Sequence, residues 1–481
     1  MSLSTIPITV AFGDGIGPEI MNAVMYLLKE AEAPIRIETI EIGEKLYNKK
    51  YTSGISEEAW RTIQRNKILL KAPITTPQGG GYKSLNVTLR KSLGLFANIR
   101  PSKSFYPFVE TLHPNMDVVV VRENEEDIYA GIEYRQTQNT YESIKLISRL
   151  GSERIIRYAF EYAMQNNRQK VTCFSKDNIM KFTDGLFHKV FKEVSREYKD
   201  IKSDHQIIDI ATARVASRPE DYDVIVTSNL YGDIVSDVTA ELSGSVGLAG
   251  SANIGEEYAM FEAIHGSAPD IAGQDLANPT GLINAAVMML VHCGLGKEAN
   301  LIENALKCTI EEGIHTSDIY KEHKSAKKVG TMEFAREVAE RFGKLPSQLE
   351  HANYSNFKRP HNFGNLSLKV DGVKTLVGVD VFIDMPTEYP KEIAEMLKDI
   401  DTSLKVKTIA SKGLMLWPRE GEVKFTSDHW CIRFMPESGE ITHNQISQLL
   451  IKLAEKNIDY IKVENLYEFD NERGYSLNQG E

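Results

Sequence analysis

Two aspartates four residues apart, Asp233 and Asp237 in Tyr231-Gly-Asp-Ile-Val-Ser-Asp237, have the chemistry and spacing to hold a metal. On a helix that spacing puts both carboxylates on one face. Such a pair can bind a hard divalent cation through oxygen and still leave room for water and substrate. Asp209 lies upstream as a third carboxylate, and Arg90, Arg100 and Arg122 come earlier. Three guanidinium forks can grip a small polycarboxylate with paired, directed bonds. The set points to an enzyme that binds a metal and a compact anionic substrate. Asp-x-x-x-Asp is also common on solvated helices, and spacing alone does not choose between the two.

The elements that must carry these residues read as alternating short strands and longer helices. Ile6 to Phe12 predicts a strand, with Pro7 near its edge or beginning. Gly13-Asp-Gly-Ile-Gly-Pro-Glu19 then turns the chain into a helix over Ile20 to Leu28, and Pro18 suits its first turn. This run lacks the Gly-x-Gly-x-x-Gly spacing of a dinucleotide loop. It reads instead as a compact strand-to-helix turn near the active cleft. Asp117 to Val121 is a buried-strand candidate, Ser152 to Met164 a helix and Lys170 to Phe174 a strand. Asp221 to Thr227 predicts another strand just before the Asp233/Asp237 helix. Apolar helices follow over Leu282 to His292, Lys297 to Gly313 and Met332 to Phe342. The pattern is α/β.

With 481 residues the chain is too long for one ordinary core, so two or three domains are expected. The formal charge of -11, with both signs intermixed, argues against a general nucleic-acid surface. Met1-Ser-Leu-Ser-Thr-Ile-Pro7 lacks a secretory signal's basic start and apolar core, and no apolar run reaches membrane-spanning length. Cys173, Cys293, Cys308 and Cys431 show neither metal nor disulfide spacing, so a reducing cytoplasm is expected. Composition changes after Phe342, where residues 342–370 read as a linker or extended arm. Residues 371–481 then run β-α-β-β-α-β, a ferredoxin-like order. With no catalytic cluster in this domain, a structural, oligomer-making or regulatory role is expected.

Several motifs in sequence order resemble the isocitrate dehydrogenase family of metal-dependent β-decarboxylating dehydrogenases. They are Gly13-Asp-Gly-Ile-Gly-Pro-Glu19, Ser84-Leu-Asn-Val-Thr-Leu-Arg90 and Arg122-Glu-Asn-Glu-Glu-Asp-Ile-Tyr129. Lys176-Asp-Asn-Ile-Met-Lys-Phe-Thr-Asp-Gly185, Asn229-Leu-Tyr-Gly-Asp-Ile-Val-Ser-Asp237 and Glu262-Ala-Ile-His-Gly-Ser-Ala-Pro269 complete the series. The likeness covers about residues 4–341, and the appended domain is similar to that of the longer bacterial members. The resemblance implies an open α/β fold distinct from the usual Rossmann arrangement. Its large domain would comprise 1–104 and 244–341. A small domain over 105–243 would carry a clasp and much of a dimer contact. Active sites would be shared in a homodimer, with Lys176 and Asp209 serving the partner's cleft and higher assembly left open.

The same resemblance assigns roles. Arg90, Arg100 and Arg122 would clamp the substrate carboxylates, while Ser84 and Asn86 would recognise the third carboxylate of isocitrate. Asp209 and Asp233 would hold Mg²⁺ or Mn²⁺, with Asp237 as a further ligand or water-mediated contact. Lys176 would assist alcohol deprotonation, and Tyr129 would return a proton after decarboxylation to 2-oxoglutarate. Thr75, Glu262, His265, Gly266 and Asn278 would contact the nucleotide. Asp270 and Ile271 stand where NADP-dependent members commonly carry Lys-Tyr. Asp270 can bond the ribose hydroxyls of NAD and would repel a 2′-phosphate, so NAD is expected over NADP. NADP-linked oxidation of the same substrate, homoisocitrate oxidation and a non-catalytic regulatory subunit remain as alternatives.

Overall fold

The computed structural model describes residues 5–48, 51, 53–75, 84–355, 372–400, 403–419 and 427–481. Residues 1–4, and 356–370 of the expected linker, lie outside the described residues. The chain divides into two compact units, residues 1–129 with 146–366, and residues 130–145 with 367–481.

Along the chain the first strands are β1 (Ile6–Ala11), β2 (Ile35–Ile40), β3 (Ile68–Lys71), β4 (Ala97–Lys103) and β5 (Asp117–Glu123). The short strands β6 (Glu133–Arg135) and β7 (Tyr141–Ser143) form a hairpin in the second unit. Next come β8 (Lys170–Ser175), β9 (Lys202–Ile207), β10 (Val224–Thr227), β11 (Gly250–Ile254) and β12 (Ala259–Ala263). In the first unit ten strands form one sheet, ordered β2-β1-β3-β12-β11-β4-β5-β10-β8-β9. Pairing is parallel except where β11 meets β12 and β4, and where β4 meets β5.

The centre of this sheet is apolar on both faces, as helices packed on either side require. Val119 and Val121 of β5 pack with Ile155, Phe160 and Val190. Val118 and Val120 pack on the opposite face with Ala211, Tyr222 and Val235. Strand alternation therefore aims the even-numbered residues of β5 at the helix Asn229–Leu242. The same holds in β4, where Ala97 and Ile99 join the first core while Arg100 and Ser102 bond to Ser236 and Thr239 of that helix. Two even positions, Arg100 and Arg122, are thus delivered to one helix face by the pleat.

Differences from the sequence reading are local. Pro7 lies inside β1 but ahead of Thr9–Ala11, the stretch that pairs with β3, so its missing N–H leaves that ladder intact. The expected strand Asp221–Thr227 begins at Val224, because Pro219–Asp221 form a turn of 3₁₀ helix. The helix near the N-terminus spans Gly17–Glu30 with Pro18 in its first turn. Of the expected linker, the described part is tied down. Glu311 accepts the backbone N–H groups of Ser347, Gln348 and Leu349, and Asn304 bonds to Ala352. It is a docked arm along the helix Gly296–Glu311.

In the second unit, strands are ordered 414–417, 404–411, 429–436, 374–384, 460–469 and 472–473 in one antiparallel sheet. The four long strands have the ferredoxin-like order, and 414–417 and 472–473 extend its edges. Helices Pro390–Leu397 and His443–Glu455 cover it through Ile393, Leu397, Ile446, Leu449 and Leu453, against Val381, Ile383 and Trp430. A capping box, Thr442 with Gln445, starts the second helix. Arg433 holds both oxygens of buried Asp380 at 2.8 Å and the Glu481 side chain at 2.8 Å, fastening the chain's last residue to the sheet. The β6–β7 hairpin belongs to this unit. Asp428 accepts from Asn139 Nδ2 and Thr140 Oγ1, both at 3.0 Å, and Lys462 pairs with Glu142.

Candidate active site

Arg122 is fully buried at the end of β5, and its surroundings define the site. Its Nε and one terminal nitrogen donate to Asn229 Oδ1 at 3.0 and 2.8 Å, and the other terminal nitrogen pairs with Asp233. Gly232 makes this approach possible. A Cβ there would lie 2.5 Å from Arg122 Cγ and 2.7 Å from its Cβ. Arg100 donates through Nε to Asn98 at 2.6 Å and through a terminal nitrogen to Ser236 at 2.8 Å. The same nitrogen stands 3.1 Å from Asp233 and 3.2 Å from Asp237. Tyr129 lies over the Arg122 guanidinium and donates its hydroxyl to Asp233 at 2.5 Å.

Arg90 approaches from the helix Leu85–Ser92 and pairs with Glu262 of β12 at 3.0 Å. Lys71, the register neighbour of Glu262 on β3, lies 2.7 Å from the same carboxylate. All three side chains are buried, so the two cations hold the Glu262 carboxyl well below the usual range despite the burial that opposes ionisation. Arg90 Nε and Asn86 Oδ1 are buried with no hydrogen-bond partner among the described residues. Ser84 stands at the start of this helix, where its carbonyl accepts from Thr88.

Charge coupling runs through the cluster. Burial pushes Asp233 up, but Arg122 and Arg100 outweigh it and hold the carboxyl below its ordinary value. Asp237 moves the opposite way, raised by burial and by the charge of Asp233 against the pull of Arg100. Burial, then the like charges of Arg100 and Arg90, pulls Arg122 down, although a guanidinium remains a cation at neutral pH. Burial and the bond to Asp233 push the Tyr129 hydroxyl up, so it is a protonated donor. Lys71, Arg90, Arg100 and Arg122 outnumber Asp233, Asp237 and Glu262 by one positive charge. Asp233 and Asp237 offer oxygen from one helix face, and Asp237 is 61 % exposed, so the donor set fits a hard divalent ion.

Lys176 and Asp209 form a separate pair, 2.8 Å apart. Neither bonds to a member of the Asp233 cluster among the described residues. Lys176 follows β8, and its backbone N–H donates to Asp184 at 2.6 Å. Asp209 is mostly exposed in the first turn of the helix Ile208–Ser217, and the Lys176 hydrogen bond lowers its carboxyl.

Of the expected nucleotide residues, Thr75 and the loop after Ala263 meet the turn at Asp14–Ile16. Ile16 donates its N–H to Ser267 O at 2.8 Å, and a Cβ on Gly15 would meet that oxygen at 2.0 Å. Thr75 is held by its N–H on Asp14 at 3.0 Å and by its hydroxyl, 2.8 Å from Ser267 Oγ. Burial lowers the His265 imidazole, and its Nε2 has no hydrogen-bond partner among the described residues. Gly266 is exposed, and Asp270 and Ile271 sit on the 3₁₀ turn Pro269–Ile271. Asn278 donates to Asp318 at 3.0 Å and accepts from the Thr280 N–H at 2.9 Å. Glu262 stands apart from this loop, buried behind Arg90.

With this geometry in view, the family model described as isocitrate/isopropylmalate dehydrogenase matches residues 7–338. A second, described as the bacterial isocitrate dehydrogenase C-terminal domain, matches 374–481. The chain belongs to the isocitrate dehydrogenase family. It is similar to a Rickettsia felis protein named isocitrate dehydrogenase (NADP), 64% identical over 479 residues, which are 99% of each chain. It is similar to a Thermus thermophilus protein of the same name, 41% identical over 480 residues, 98% of this chain and 96% of that one. The crystal structure of a protein designated TT0538, also from Thermus thermophilus, superposes with TM-score 0.93 at 39% identity, covering 99% of this chain and 96% of that one. The resemblance carried by the motifs therefore holds for both parts of the chain, including the appended domain.

Several residues of this family member's cluster were given no role in the sequence analysis, although Asn229 and Asp127 lie within its motifs. Asn229 and Asn98 hold Arg122 and Arg100 in place. Asn98 could have been found as the i−2 neighbour of Arg100 on a strand face. Asp127, which accepts from Ser228 Oγ and the Leu230 N–H, fixes the start of the Asp233 helix. Lys71 gave no local signal, because its partner is far along the chain.

Proposed function

We propose that this chain oxidises and decarboxylates isocitrate to 2-oxoglutarate with NADP as acceptor and Mg²⁺ or Mn²⁺ as the metal. Two buried guanidiniums paired with Asp233, with Arg90 close enough to lower the same carboxyl through its charge, carry the substrate reading. A tricarboxylate with one divalent ion carries a net single negative charge, which matches the cluster's single excess positive charge. Arg90 has an unbonded Nε–H to offer, and Ser84 and Asn86 lie on the same helix for a further carboxylate. Asp233 and Asp237, with Asp209 of a second copy, would hold the metal, which when bound polarises the forming ketone. Tyr129, kept protonated, would deliver the proton after carbon dioxide leaves. Lys176, paired with Asp209 away from this cluster, suits a homodimer in which each copy lends that pair to the other's cleft, in a cytoplasmic enzyme.

NADP is a correction of the expectation from Asp270. The relatives similar over nearly the whole chain are named for NADP. An aspartate at 270 disfavours a 2′-phosphate only if no cation answers it. Asp318, bonded to Asn278, opens a segment carrying Lys321, His323 and Lys324, all three paired with Glu110. These side chains can supply that charge. Initial-rate kinetics with isocitrate and Mg²⁺, NADP against NAD, tests the reading. A higher kcat/KM with NADP supports it, a higher value with NAD restores the Asp270 expectation, and turnover of homoisocitrate alone overturns the substrate.

A further inference from the structure

Away from the arginine cluster, one group of side chains has the composition of a metal site. Asp177 follows β8, His188 lies on the helix Thr183–Ser195, and His205 is on β9. One carboxylate oxygen and one ring nitrogen from each histidine lie within 4.8 Å of one another. His188 Nδ1 is 2.6 Å from Asp177 Oδ2, and His205 Nε2 is 3.8 Å from Asp177 Oδ1 and 2.8 Å from Ser175 Oγ. The two imidazoles stack with centroids 3.5 Å apart and planes 17° apart.

The ion would replace the proton between His188 Nδ1 and Asp177 Oδ2, so that both groups become ligands. The other ring nitrogen of His188, Nε2, is buried with no hydrogen-bond partner among the described residues, so no competing bond holds the ring. A depression of about 420 Å³, lined by Asp177, Gly185, His188, Lys189 and Lys192, gives access from solvent.

We propose that Asp177, His188 and His205 form a second metal site, for a transition ion of the Zn²⁺ class. Two imidazoles and one carboxylate suit Zn²⁺, Co²⁺ or Ni²⁺, whereas the all-oxygen set at Asp233 and Asp237 suits Mg²⁺ or Mn²⁺. Parallel stacked rings cannot both aim a lone pair at one ion. Binding would therefore turn one ring outward and take His205 from Ser175. Three protein ligands leave a fourth position for water. Asp177 follows Lys176, whose backbone N–H is held by Asp184 in the first turn of the His188 helix. An ion bound here ties both ends of the turn that carries Lys176. Any effect on turnover rests on the Lys176 role proposed above, but binding does not.

The test is calorimetric titration of chelator-stripped, full-length protein with ZnCl₂ in excess Mg²⁺, followed by Zn K-edge X-ray absorption. Wild type and Asp237→Asn should bind Zn²⁺ alike, while His188→Ala and His205→Gln should lose about tenfold or more in affinity. The absorption spectrum should show scattering from two imidazole rings. Equal binding by the histidine variants, loss of all binding in Asp237→Asn, or an all-oxygen shell would overturn the site. If the histidine variants do not fold, Asp177→Asn provides the same comparison. Zn²⁺ binding without inhibition would leave this site standing and count against the role of Lys176.

Discussion

The Tyr129 hydroxyl lies 2.5 Å from one oxygen of Asp233 while Arg122 pairs with the other. One carboxylate thus orients a proton donor and neutralises a buried cation, so the phenol is aimed without being ionised. Tyr129→Phe should lower kcat by about 10²-fold or more with KM within a few-fold, the signature of a lost proton donor. Steady-state kinetics on a variant with unchanged thermal midpoint makes the measurement. A large rise in KM at constant kcat would instead make Tyr129 a binding group.

Gly232 is set by Arg122. Adding a methyl at 2.5 Å from the arginine stem forces strand and helix apart. Gly232→Ala is expected to cost about 1–3 kcal/mol by overpacking and to lower kcat/KM for isocitrate more than for a substrate lacking one carboxylate. Denaturant midpoints and kinetics check both arms. Unchanged stability would mean the helix moves freely.

Glu123 closes β5 beside Arg122 and carries a pH signature. Burial pushes its carboxyl up from 4.5 to about 8, against backbone N–H bonds from Glu125 and Glu126. The folded state therefore holds a proton that the unfolded chain has lost, so stability falls as pH rises from about 4.5 to about 8. Glu123→Gln cannot ionise. It should flatten that fall by roughly 1–3 kcal/mol, more stable than wild type at the alkaline end. Urea midpoints across the window decide it, and parallel curves would remove Glu123 from the account.

Asp270 offers a charge test of the nucleotide site. Asp270→Asn removes the negative charge without changing shape, and should raise the ratio of kcat/KM for NADP over NAD by about fivefold. An unchanged ratio would put the 2′-position of the nucleotide away from residue 270.

The α/β pattern and the helical placement of Asp233 and Asp237 were legible in sequence because they depend on local signals. The valine run of β5 is buried on both faces, and the Asp233/Asp237 spacing falls on a helix as read. What escaped depends on contacts between distant segments. Glu262 reads as part of a nucleotide loop, yet it meets Lys71 across parallel strands and Arg90 from a third element. The Asp177–His188–His205 group joins a turn, a helix and a strand, with no shared motif to announce it. The hairpin escaped because each of its strands spans only three mostly exposed residues, which carry little apolar alternation. NAD preference was read from one charge at residue 270, and a single charge cannot show which distant cations answer it.

That hairpin has a consequence for how the protein is made. Residues 130–145 leave the ribosome long before Asp428 and Lys462, their partners 288 to 320 positions later. The first unit can assemble around its sheet while the hairpin waits, unanchored, for the last quarter of the chain. Contacts of such long sequence separation form slowly. Translation that stops short of the C-terminal sheet would therefore release a chain whose hairpin lacks its partners. Such a product is a ready target for proteases or for pairing with another unfinished copy.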